Sequence, residues 1–67
     1  MAQVVKVLEL VGESPRSWQD AVESAVQEAA RTVDHISGVE VYNLTGNVAG
    51  GQIVEYKANV KVAFVVV

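Results

Sequence analysis

One stretch of the chain has a helical period, and the rest of the fold must be arranged around it. Trp18, Ala21, Val22, Ala25, Val26, Ala29, Ala30 and Val33 recur at steps of three and four. Gln19, Glu23, Gln27, Glu28 and Arg31 fall on the opposite side, so a single apolar stripe faces a core and a polar face meets water. The spacing predicts a helix over about 18–35. Ser17 is placed to accept from the backbone of the first turn, and Asp20 complements the dipole there. The stripe is rich in alanine, so the helix can lie close against a sheet.

The flanking segments read as strands. "QVVKVLELV" at 3–11 is rich in Val and Leu, and Gly12 is expected to end it. "GESPRS" reads as loop. A second strand is expected at about 38–45, "GVEVYNLT", with Gly38 as the stop between helix and strand, because glycine tolerates positive φ after a helix end. "GNVAGGQ" at 46–52 holds three glycines and reads as turn. In the last strand, 53–67, Val54, Tyr56, Ala58, Val60, Val62, Phe64 and Val66 share one face, and Glu55, Lys57, Asn59 and Lys61 the other. The order β-α-β-β implies an α+β domain spanning 1–67, with a three-stranded antiparallel sheet packed on one helix.

So short a chain buries little. At 67 residues the gain from apolar burial and the entropic cost of ordering nearly cancel. There is no cysteine, so neither disulfides nor thiolate metal sites reinforce it. Yet 51% of the residues are hydrophobic. Beyond Lys61 both faces of the last strand are apolar, since Ala63, Val65 and Val67 join Phe64 and Val66. One helix cannot cover both faces, so a subunit interface is expected there. The net charge of −3 argues against nucleic acid as a partner. No stretch has the length of a membrane span or the pattern of a signal peptide. A cytoplasmic protein is the expectation, and the Asn43-Leu44-Thr45 sequon is read as chance.

Catalytic chemistry finds little to build on. His35 is the single histidine; beside Asp34 it is read as a helix-end residue rather than a base with its orienting acid, because helix neighbours point about 100° apart. The serines form no nucleophile elbow, and the acids lack calcium-loop spacing. No metal ligand can be assigned within one chain, although symmetry in an oligomer would multiply each acid. Trp18, in the first helical turn, is read as a staple between helix and sheet. Lys57 and Lys61 read either as a pair that meets a phosphate or, with Glu55 and Glu40 nearby, as solvated cross-strand charge pairs.

Together "ELVGESP", "SWQDAVESAVQEAARTVDHI" and "EYKANVKVAF", in this order and spacing, resemble the dodecin family over nearly the whole chain. The resemblance implies a helix wrapped by a three-stranded sheet, a hollow homododecamer, and storage or sequestration of flavin (FMN, riboflavin or FAD) without catalysis. In the family a tryptophan at the start of the second strand stacks on the flavin ring, and a glutamine early in the last strand pairs with its polar edge. Gly38 and Lys57 stand at those positions here. Loss of a stacking platform removes about 1–3 kcal/mol. A lysine ammonium donates but cannot accept from the ring N–H, whereas a glutamine amide does both. The resemblance therefore implies the shell more firmly than the flavin. The "SPRSWQDA" helix start resembles the calcium-binding dodecins, and a flavin-free shell holding calcium or another small ligand is the alternative.

Overall fold

A computed structural model describes residues 2–67. The elements run β1 (Val4–Ser14), α1 (Trp18–Ala30), β2 (Ile36–Ala49) and β3 (Gln52–Val66). The sheet is antiparallel with β3 in the middle, between β1 and β2. The expected β-α-β-β order and the helix packed on one sheet face are both present. Several boundaries differ, for identifiable reasons.

β1 runs through Gly12 to Ser14 instead of stopping at Gly12. The glycine is there because the helix sits on it: a Cβ at Gly12 would lie 1.9 Å from the Ala21 carbonyl oxygen. Ser14 then closes the corner. Its buried hydroxyl donates to Asp20 Oδ2 at 2.6 Å and accepts from the Arg16 amide. Ser17 is the helix N-cap, accepting from the Asp20 amide at 3.0 Å, as its sequence position predicts. Ser14, with Arg16 beside it, also holds the Asp20 carboxyl below its ordinary value.

The helix ends at Ala30, not near 35. Thr32, Val33 and Asp34 are weaker helix formers than the alanines before them, and the chain must turn to enter β2. The residue that makes that turn is His35, with φ 64°, and its carbonyl already accepts from Val65 at 3.0 Å. His35 is therefore not a helix-end residue. Nor is Gly38 a helix stop: it lies inside β2, opposite Ala63, without positive φ.

β2 and β3 extend well into the stretch expected to be turn. The connection is only Gly50–Gly51, both at positive φ (60° and 76°), the requirement of a tight two-residue hairpin. β2 carries three register shifts against β3. The first two place Ile36, Val39, Val41 and Leu44 on the helix-facing side, opposite Phe64, Val62, Val60 and Ala58; strict alternation would have split them between faces.

The core is Ala21, Ala25 and Ala29 of the helix against Ala58, Val60 and Val62 of β3, with Leu10, Val22, Val26 and Ile36 packed around it. The alternation expected of β3 is thus observed. Trp18 staples the helix to the far strand, its indole N–H donating to the Thr45 carbonyl at 2.8 Å. Its ring meets Tyr56 edge to face at 4.9 Å.

Candidate functional site

The sheet face away from the helix carries the sequence-derived site residues, and the register shows how they are spread. Several rows of residues cross the sheet there. Val7, Ala63 and Gly38 form one; Glu9, Lys61 and Glu40 the next; Glu13, Lys57 and Thr45 lie further along. Gly38 and Lys57 are separated by six residues of β3 register, or about 20 Å at 3.4 Å per residue. One copy therefore does not bring them together on a single planar ligand. A ligand touching both would draw them from different copies.

Gly38 is exposed, and a Cβ built on it meets nothing within 4 Å. It leaves a low, open floor with Ala63 and Val7. Lys57 is engaged elsewhere: its ammonium lies 3.8 Å from a Glu13 carboxylate oxygen on β1. The expected partner of Lys57 is corrected accordingly, while Lys61 lies cross-strand from Glu40 as expected. Lys57 meets Glu13 rather than Glu55 or Glu40, because the central strand pairs with β1 as well as β2. Lys61 stands between Glu9 and Glu40.

Tyr42, not among the sequence-derived site residues, also reaches this face. It falls at the register shift between Val41 and Asn43, and its side chain crosses the outer face of β3. The hydroxyl donates to the Glu9 carboxylate on β1, and the Lys61 ammonium lies 5.5 Å from the ring centroid, within cation–π range. Glu9, first by that hydrogen bond, pushes the Tyr42 phenol above its ordinary value. Alternation in "GVEVY" places Tyr42 on the same side as Gly38 and Glu40, which was the available signal. Its reach to Glu9 depends on β1 lying beyond β3, a tertiary fact. Beside it Asn59 donates to Asn43.

Asp34 and His35 are both exposed, at the turn rather than on a helix. Among the described residues a single copy encloses no pocket, and no three acidic or histidine side chains converge as a metal would require. Among the same residues no helix is long and apolar enough to cross a membrane.

Comparison with known proteins gives a consistent result. The Dodecin family model matches residues 4–67. The chain is 31% identical over 64 residues to a dodecin of Thermus thermophilus, covering 96% of this chain and 93% of that protein. It is 34% identical over 61 residues to the calcium dodecin of Mycobacterium tuberculosis, covering 91% and 86%. A crystal structure of a Thermus thermophilus protein superposes with a TM-score of 0.93 at 29% identity, over 98% of this chain and 97% of that one. The structure of the Mycobacterium tuberculosis calcium dodecin, described as having a novel calcium-binding site, superposes at 0.80, over 91% and 87%.

Proposed function

Because the chain belongs to the dodecin family, we propose that it is a non-catalytic small-ligand-holding protein assembled from twelve copies, with weakened flavin affinity. The observation that carries this reading is the open floor at Gly38: the position at which a family member stacks its tryptophan is exposed and meets nothing within 4 Å of a built Cβ. The ligand site lies between copies, since among the described residues one chain encloses no pocket and spreads Gly38 and Lys57 along the sheet. Lys57, held by Glu13, offers a flavin edge donors only.

The test is a fluorescence titration of riboflavin and of FMN. The expected result is a protein that is colourless as purified and that quenches either flavin only at high concentration. Gly38→Trp combined with Lys57→Gln tightens binding by about tenfold to a hundredfold, the equivalent of one stacking contact. A double variant that binds no better than the parent would remove this reading of the site.

A second reading is favoured by the 34% identity to a calcium dodecin: the shell holds calcium on acids gathered from several copies. It predicts that chelator lowers the melting temperature and that calcium restores it. Indifference to both, with no metal retained after dialysis, removes it.

A further inference from the structure

We propose that Tyr42 is the aromatic wall of the ligand site, the residue against which a planar heteroaromatic ring rests beside the open Gly38 floor. This deepens the ligand-holding reading given above and rests on it. Three observations converge. The register shift at Val41/Asn43 accompanies the placement of Tyr42 on the outer face, and the side chain there is 45% exposed. The ring is fixed at two points, by its hydroxyl on Glu9 and by the Lys61 ammonium 5.5 Å from its centroid. A ring already fixed loses little freedom when a ligand stacks on it.

The third observation is its neighbourhood. The Glu9–Lys61–Glu40 row on which Tyr42 rests is adjacent, on the outer face, to the Val7–Ala63–Gly38 row. Rows on one face are spaced by two residues, about 7 Å. The floor next to the tyrosine therefore bears nothing larger than a valine. Glu40 stands at the same edge and accepts from ring N–H groups, while Lys61 donates to ring carbonyls. A planar ring with both kinds of group along its edge fits this arrangement. An isolated phosphate does not, because Glu9 and Glu40 flank Lys61.

Riboflavin, which lacks a phosphate, is the probe. Its fluorescence is titrated with the parent, Tyr42→Leu, Tyr42→Phe, Gly38→Trp and the Gly38→Trp/Tyr42→Leu pair, with the particle mass of each measured by light scattering. Tyr42→Leu is expected to weaken riboflavin binding about tenfold, the loss of one stacking partner. Tyr42→Phe, which keeps the ring but not its tether to Glu9, falls between parent and Leu variant. Gly38→Trp/Tyr42→Leu is expected to assemble and bind, which would show that the shell survives loss of the tyrosine. If Tyr42→Leu binds riboflavin as the parent does, the proposal is overturned. It is equally overturned if the parent does not bind while Gly38→Trp does, an outcome that leaves the weakened-site reading standing. If Gly38→Trp also fails to bind, the site reading itself falls with it.

Discussion

The two sides of β3 are built differently. On one side β1 and α1 close over it: Gly12 admits the helix backbone, Ser14 seals the corner, and Ala58, Val60 and Val62 are fully covered. On the other side β2 pairs along nearly its whole length, yet all but one of its fourteen residues are exposed. Its register shifts place Val39, Val41 and Leu44 on the helix-facing side, but the helix does not reach them, and they remain 43–50% exposed. The part of β1 beneath the helix, from Leu10 to Ser14, is closed by Gly12 and Ser14 within one chain, although Val4, Val5, Val7 and Val11 stay exposed. The β2 half has apolar residues aligned on one face that the described residues of the same chain leave uncovered, which supports assembly with further copies. Single exposed apolar residues are ordinary, whereas an aligned row of them marks an interaction surface.

The contrast can be broken from the covered half first. Gly12→Ala forces a methyl group into the Ala21 carbonyl, and overpacking of this kind costs about 1–3 kcal/mol or more. For a chain with so small a core, circular dichroism should show loss of the helix at room temperature or a sharply lowered melting point. A wild-type melt would mean that the helix can move off β1.

Disrupting the β2 half should act on assembly instead. Leu44→Ser with Val41→Ser removes apolar side chains, each worth about 1.5–3 kcal/mol when fully buried. The expected result is a smaller particle in light scattering. An unchanged mass would show that this face is not covered by other copies.

Trp18 joins the two halves, since its indole reaches from the helix to Thr45 on β2. Trp18→Phe keeps the edge contact with Tyr56 but loses the hydrogen bond, costing about 1 kcal/mol, readable as a small fall in urea midpoint. Ser17→Ala should cost a similar amount through loss of the N-cap.

The smallest effect is in pH. The carboxyl of Asp20 is depressed below its ordinary value of 3.8. Its stabilising contribution is therefore complete above that value and is lost as pH falls through the lower folded value. Tyr42 has the opposite sign: its phenol is raised above 10.0, so its contribution holds below 10 and is lost at higher pH. Acid and alkaline melts of Asp20→Asn and Tyr42→Phe should flatten these two limbs separately.

Much of this architecture was legible in the residues. The alanine stripe announced a close-packed helix, the alternation of β3 announced its buried face, and Ser17 announced its cap. What escaped was set by contacts distant in sequence. Gly12 read as a strand breaker because its reason for being glycine is the Ala21 carbonyl. Gly46, Asn47 and Val48 read as turn because their pairing with β3 outweighs local turn preference. His35 took the positive φ that Gly38 was expected to adopt, because the chain turns three residues earlier. At the proposed site, Gly38 and Lys57 were suggested by family resemblance alone, while Tyr42 and the Lys57–Glu13 pair depend on β1 and β2 flanking β3.

The most direct test is the mass of the purified protein in solution by light scattering. If the β2 half is completed by other copies, the particle weighs about twelve times the 7.2 kDa chain and holds that mass on dilution to micromolar concentration. A folded, cooperative species at the mass of one chain would contradict the account, because β2 would then be stable with its apolar row open to water.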